Sequence, residues 1–322
     1  MNIALLHHLR RAGGGYVATA ELGDNAATCR RDLDELQAFG FGLERHPIYG
    51  VAYRGPAARL CPDQIEWELG TRLVGRRVAV WDRTTSTNDL AARASSSAAN
   101  EGLVVLAESQ SSGRGSRGRI WTARRGSSIL MSILLFPIRP LADPAWLTAL
   151  GAVAVAEVAE AWTGRPARIK WPNDVRIGGR KVAGVLVERG AGAVVGVGLN
   201  ANTTAGEFPE DLHDSATSIR IERGSAGPVD RSELARDLIR TFDRWYASGI
   251  ELGAGPVAIA WLDRFEHTGR RVRVETTEGQ RTGRLVGADL RTGVVLVEDD
   301  GEWVQIPAAS IVAMGEPGPE RG

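Results

Sequence analysis

Six apolar runs of four to eight residues fall between residues 78 and 199, at 78–81, 103–107, 129–136, 167–170, 182–188 and 193–199. Their length and their content of Val, Ile and Leu read as buried strands. Helix-period segments stand at 88–94, 144–162, 232–246 and 256–264. Strands and helices do not alternate regularly. The pattern therefore predicts an α+β fold around a mixed sheet, in place of a doubly wound parallel one.

Both ends of the chain differ from this middle, and 322 residues exceed what one core usually holds. Residues 1–64 open with a helix over 3–11. A second apolar stripe follows at Cys29, Leu33, Leu36 and Phe39, with Gly40 placed to end it. A hairpin over 42–54 turns around Pro47 and Gly50. Helix, short helix, longer helix and hairpin is the order of a winged helix-turn-helix. Residues 65–266 hold the mixed sheet. Residues 267–316 carry short strands at 271–276, 281–287, 294–298 and 303–306, with turns at Glu278-Gly279 and Asp300-Gly301, the size of an SH3-like β-barrel. Gly and Pro in 317–322 suggest a flexible tail.

The formal net charge is zero, which offers no whole-chain argument for a nucleic-acid or membrane partner. Cys29 and Cys61 can build neither a disulfide framework nor a metal-ligand spacing, and a reducing, cytoplasmic setting suits them. The first apolar run is followed by Arg10 and Arg11, the reverse of a secretory leader. The stretch 145–162 contains Glu157 and Glu160 and reads as a buried helix, with no membrane span implied. The chain has 37 arginines but only two lysines, Lys170 and Lys181. An ammonium is a compact point charge and a guanidinium a broad fork, so a tight site can demand one and exclude the other.

Four segments carry chemistry. Residues 110–121 place Arg114, Arg117 and Arg119 among Gly113, Gly115 and Gly118, a combination suited to phosphate or carboxylate. A solvated arginine-glycine loop or a nonspecific RNA contact has the same composition, and the loop lacks the ending of a P-loop. Lys170-Trp171-Pro172-Asn173-Asp174 leaves a strand and turns. Lys181 opens the next strand around Gly178-Gly179, so both lysines and Asp174 could face one pocket; a surface salt bridge at a β-turn is the plain alternative. Ser86-Thr87-Asn88 precedes a helix and serves either as its N-cap or as a cradle for a polar head group. Residues 196–202, Gly-Val-Gly-Leu-Asn-Ala-Asn, are a buried strand entering a turn or a source of amide oxygens near metal and phosphates.

In this order the segments resemble the bacterial biotin protein ligases, whose larger members bear an N-terminal winged helix and a C-terminal SH3-like domain. The family pattern is Ser-Thr-Asn, Gly-Arg-Gly-Arg-x-Gly-Arg, Lys-Trp-Pro-Asn-Asp, Lys-x-x-Gly and Gly-x-Gly-x-Asn, the fourth matched here by Lys181-Val182-Ala183-Gly184. The resemblance implies a cytoplasmic, dimeric, Mg²⁺-dependent enzyme that makes biotinyl-5'-AMP from biotin and ATP. It then transfers biotin to a lysine of a biotin carboxyl carrier protein, as in acetyl-CoA carboxylase. It implies biotin contacts from Ser86, Thr87, Asn88, Gln110, Arg114, Gly115, Ser116 and Lys181. ATP contacts would come from Arg117, Arg119, Trp121, Lys170, Asn173 and Asn200, and metal ligands from Asp174 and Asn200. Lys181, Arg114 and Asp174 would be catalytic, with Asp174 as base or metal ligand. Val185 and Leu186 are expected to wall an apolar slot. Lipoate or octanoate transfer, and a biotin-responsive repressor, are the alternatives.

The chain departs from the family at two places. Ser116 stands where arginine is usual. The stretch between Thr19 and Ala27 looks about four residues short, and residues 1–60 hold seven arginines against six acids. Operator binding is therefore doubtful.

Overall fold

The computed structural model describes the chain apart from residues 24, 139–140, 225–226 and 318–322. It begins with α1 (Ile3–Arg11), capped by the Asn2 side chain, which accepts from the Leu5 amide. β1 (Tyr16–Val17) and a 3₁₀ turn (Thr19–Glu21) lead to α2 (Ala26–Phe39), which Asn25 caps and Gly40 ends at φ +117°. β2 (Gly42–His46) and β3 (Gly50–Gly55) follow, and the three strands form a sheet of order β1-β3-β2. Two expectations are corrected here. The short second helix is a single 3₁₀ turn, because Gly23 at φ +149° breaks the chain immediately after it. The hairpin also gains a third strand from Tyr16–Val17.

The middle of the chain runs α3 (Pro62–Glu66), β4 (Arg77–Trp81), α4 (Thr87–Ala94), β5 (Leu103–Ala107), β6 (Ser128–Leu135) and α5 (Pro144–Thr163). β7 (Ala167–Lys170), β8 (Asp174–Ile177), β9 (Arg180–Arg189), β10 (Ala193–Asn200), α6 (Ile219–Glu222), α7 (Arg231–Leu252) and α8 (Gly255–Arg264) complete it. The seven strands form one mixed sheet of order β4-β5-β6-β10-β9-β8-β7, in which β4 and β5 are parallel and every other pair antiparallel. The two lysines were expected on the two arms of one hairpin. There are two hairpins instead: β7 turns through Trp171–Asn173, with a cis Trp171–Pro172 peptide, and β8 turns through Gly178-Gly179. Asp174 thus starts a strand.

Alternation along the strands sorts the sheet into two faces. Val104, Leu106, Ile129, Ile133, Val195 and Leu199 join the main core with α5, α7 and α8. α5 is long and apolar enough to cross a membrane, but it lies packed in this core. Val105, Leu134 and Val194 face the other way and pack on Ala91 of α4. The strand glycines that border the candidate site, Gly184, Gly196 and Gly198, lie on this second face.

The N-terminal elements are tied to α7 by polar contacts. Arg10 donates to Glu233 at 2.7 Å, and Gln64 donates to Asp230 at 3.0 Å and to Glu233 at 2.8 Å. The buried pair Arg231–Glu108 (2.7 Å) holds the connecting segment, Glu108 also accepting from the Leu60 amide. The C-terminal part is a five-stranded antiparallel sheet, β11 (Arg271–Thr276), β12 (Gly279–Asp289), β13 (Gly293–Val297), β14 (Trp303–Ile306) and β15 (Ile311–Gly315), in the order β14-β13-β12-β11-β15. β15 was not anticipated. Of the tail assigned to 317–322, residues 318–322 lie outside the described residues.

Candidate active site

The cleft floor is made by three glycines on one face of the sheet. Gly196 on β10 is paired with Ser132 on β6 and Leu186 on β9. Gly198 is paired with Leu130 and Gly184, and Gly184 with Asp174 on β8. Same-face side chains on neighbouring strands would fill this space, so their absence opens it. A Cβ on Gly196 would meet Asn88 Oδ1 at 2.3 Å, and one on Gly198 would meet Trp121 Cε2 at 2.4 Å. The result is a cleft of about 700 Å³.

A β-bulge puts Lys181 into this cleft. β8 and β9 pair Val175 with Ala183 but Arg176 with Lys181, leaving Val182 as the extra residue. Without it Lys181 would fall on the opposite face from Gly184. Its backbone is clamped by the 203–218 segment, the Lys181 amide donating to Ser215 O (2.7 Å) and the Thr217 amide to Lys181 O (2.8 Å). The ammonium lies 2.7 Å from Asp174 Oδ1 and 5.4 Å from the Trp121 ring centre.

At the other end, α4 presents its N-terminus. Ser86 caps it, accepting from the Asn88 amide at 3.3 Å. Gln110 Oε1 accepts from the Thr87 amide (2.7 Å) and hydroxyl (3.0 Å). Ser132 Oγ lies 2.7 Å from Thr87 Oγ1 and 2.5 Å from Asn88 Oδ1. Ser86, Thr87 and Asn88 are all buried, so this is a fixed polar cluster. Arg114 borders it, held by Glu188 at 2.8 and 3.1 Å and by Asp89 at 2.7 Å. Those carboxylates, Glu188 first, hold the guanidinium pKa above its ordinary value despite partial desolvation.

Asn173 and Asn200 lie towards the Lys181 end. Asn173 Nδ2 donates to Val185 O, while its Oδ1 is buried without a partner among the described residues. Asn200 Nδ2 donates to Thr217 O at 3.0 Å. Trp121 Nε1 is likewise buried and unpartnered among the described residues. Arg119 donates to Ser116 O (3.2 Å) and Ser116 Oγ (2.8 Å).

Fourteen of the residues singled out in the sequence line this one cleft: Ser86, Thr87, Asn88, Gln110, Arg114, Gly115, Ser116, Arg119, Trp121, Lys170, Asn173, Asp174, Lys181 and Asn200. Val185 and Leu186 line it too. Arg117 is not brought in. Its backbone is left-handed at φ +60°, and its guanidinium donates to Ile311 O on β15. The sequence reading missed Ser132, the one hydroxyl inside the apolar run 129–136, which was its available signal. It also missed the wall of Phe208, Pro209 and Leu212, in a loop without periodicity.

Residues 80–200 match the biotin/lipoate A/B protein ligase family. The bifunctional ligase/repressor BirA of Bacillus spizizenii is 30% identical over 317 residues, 95% of this chain and 97% of the relative. The biotin–[acetyl-CoA-carboxylase] ligase of Mycobacterium tuberculosis is 35% identical over 269 residues, 79% of this chain and 97% of the relative. Among solved structures, biotin protein ligase from Aquifex aeolicus in complex with biotin and ATP superposes with a TM-score of 0.65 at 25% identity, covering 75% of this chain and all of that one. The chain is a member of the bacterial biotin protein ligase family.

Proposed function

We infer that this chain activates biotin with ATP as biotinyl-5'-AMP and passes biotin to a lysine of a biotin carboxyl carrier protein. The observation that carries this is the cleft's two unlike ends. A cluster of the buried Thr87, Asn88 and Ser132 with the half-buried Gln110 offers donors and acceptors to a compact ureido head. Cations gather at the other end around Lys181, with Lys170 and Arg119 along the wall.

Biotin's carboxylate, ionised at neutral pH with a pKa of ~4, attacks the α-phosphate and expels pyrophosphate. No base is needed. The obstacle is the approach of two anions, and Lys181 and Arg114 supply fixed positive charge against it. Asn173, Asp174 and Asn200 offer oxygen ligands, of which Asn173 Oδ1 has no partner among the described residues, a donor set that fits a hard cation such as Mg²⁺. When bound, Mg²⁺ supplies further charge beside the phosphates. In the second step the carrier lysine, with a pKa of ~10.4, loses a proton and attacks the mixed anhydride, releasing AMP. Asp174 is the carboxylate placed to assist it, its other role being that of metal ligand.

The N-terminal helices and three-stranded sheet are a winged helix-turn-helix over 1–64, and the C-terminal sheet is an SH3-like barrel over 267–316, flanking a catalytic unit of 65–266. The enzyme works as a cytoplasmic homodimer, with the N-terminal module serving the fold more than an operator. Lipoate transfer is the competing reading. A linear acyl chain has no ureido group to satisfy the buried polar cluster, and an unpaired cluster costs affinity. Direct titration of biotin against lipoate tests this. Tighter binding of biotin supports the ligase reading, and preference for lipoate would overturn it.

A further inference from the structure

Glu188 is near the end of β9, just outside the cleft lining, and no sequence motif includes it. Its carboxylate makes contacts in two directions. One oxygen accepts from Asn88 Nδ2 at 2.5 Å and from Arg114 at 2.8 Å; the other accepts from Arg114 Nε at 3.1 Å. We propose that Glu188 is a positioning residue that couples the biotin head-group cluster to the glycine-arginine loop, by fixing the Asn88 amide and the Arg114 guanidinium at once.

A carboxylate only accepts hydrogen bonds, so it compels Asn88 to turn its NH₂ towards β9 and its carbonyl oxygen towards Ser132. The cluster therefore presents one pattern of donors and acceptors to a ligand. Gly196 leaves the place for this pose, since a Cβ there would meet Asn88 Oδ1 at 2.3 Å and Nδ2 at 3.0 Å. The loop carrying Arg114 is braced internally by Gly115 N to Arg119 O (2.7 Å) and Trp121 N to Gly113 O (3.0 Å). It is anchored at its start by Ser111 N to Thr84 O (2.9 Å) and Ser112 N to Thr85 O (2.9 Å), and further on by Arg117 to Ile311 O. The links of Arg114 to Glu188 and to Asp89 tie it to β9 and α4. Ordering of the head-group cluster and ordering of the loop thus share one carboxylate, and each makes the other easier.

This rests on the ligase reading above, and the test separates the two. Biotin alone is titrated calorimetrically into the full chain, into Glu188→Gln, and into Asn88→Ala/Arg114→Ala with and without Glu188→Gln. Glu188→Gln keeps the shape but loses the charge-assisted contacts. Biotin should bind roughly tenfold more weakly, as for loss of such contacts, with affinity for an ATP analogue within about twofold. In the Asn88→Ala/Arg114→Ala background the same change should have less than a roughly twofold effect, since its partners are gone. Glu188→Asp, which keeps the charge, should recover part of the loss. Equal biotin affinity in the chain and in Glu188→Gln would overturn the coupling alone. So would an undiminished loss in the double-alanine background, or an aspartate no better than glutamine. Absence of biotin binding by the unaltered chain would overturn the ligase reading itself.

Discussion

The Lys181 ammonium lies 2.7 Å from Asp174 Oδ1, and its Cε and Nζ lie 3.3 Å from where a Cβ on Gly184 would stand. The ammonium seated between Asp174 and the Trp121 ring is a compact point charge, which a broad planar fork does not reproduce. Lys181→Arg, though it keeps the charge, should therefore lose adenylation by roughly 10²-fold or more, in the range seen on removing one transition-state donor. Biotin-dependent pyrophosphate release measures it; activity within about twofold of the unaltered chain would contradict it.

The two floor glycines should fail differently. Gly196→Ala drives a methyl into Asn88, and Gly198→Ala drives one into the Trp121 ring. Overpacking of this kind costs ~1–3 kcal/mol, or roughly 5–150-fold in affinity if the shift falls on the ligand. Steady-state kinetics should show KM for biotin rising most in Gly196→Ala and KM for ATP rising most in Gly198→Ala. Equal effects of both changes on both substrates would refute the division of the cleft.

Ser116 leaves the loop one cation poorer than the family pattern, and its hydroxyl is occupied by Arg119. Restoring the charge with Ser116→Arg should slow release of labelled biotinyl-5'-AMP by roughly fivefold, equivalent to about 1 kcal/mol for one charge-assisted contact. Identical dissociation rates would remove the idea.

A buried histidine, His267, and a half-buried one, His7, make stability fall on the acid side of neutrality. Burial lowers the pKa of His267, with Glu266 opposing and Lys170, Arg176 and Arg270 adding to the shift; burial likewise lowers that of His7, against Glu233. Unfolded imidazole takes a proton near pH ~6.5, and the folded rings do so only at lower pH. Below ~6.5 the unfolded chain binds more protons, so stability present above that value is lost as pH falls towards the folded pKa values. Thermal melts should give a level Tm from pH 8 to 7 and a decline from pH 6.5 to 5.5. A level Tm through the lower interval would contradict this.

DNA binding by the N-terminal module should be weak. Asp34 pairs with Arg45 at 2.7 Å, and Asp32 accepts from Asn2 at 2.8 Å and lies 3.5 Å from Arg31, so part of the positive charge on and beside α2 is compensated locally. A gel-shift at low salt with the DNA upstream of the biotin-synthesis genes, plus biotin and ATP, should show no sequence-specific complex at ~10⁻⁸ M. Such a complex would align the chain with the relatives named as ligase and repressor.

Six of the seven strands of the mixed sheet and its longer helices were legible because apolar patterning follows burial directly, whereas β8, with Asp174 and Arg176 among its four residues, was not. α7 shows the helical period best, with Leu234, Leu238, Phe242 and Tyr246 buried on one face, while α5 and β5 were legible as nearly continuous apolar runs. The site's residue types were legible from motif order. Its geometry was less so. The bulge at Val182 that turns Lys181 into the cleft leaves no compositional trace, because a valine there reads the same with either register. Glu188 and Ser132 act across strands, so their partners are distant in sequence. The glycine-arginine pattern likewise does not reveal that Arg117 turns left-handed and donates to Ile311 O on β15.

The most direct test of the account is pyrophosphate release from the purified chain with ATP and Mg²⁺, with biotin, with lipoate and with neither, followed by addition of a biotin carboxyl carrier domain. Release that depends on biotin, and label that then moves from the adenylate to the carrier's lysine, is the predicted result. Release that is indifferent to biotin, or greater with lipoate, would contradict it.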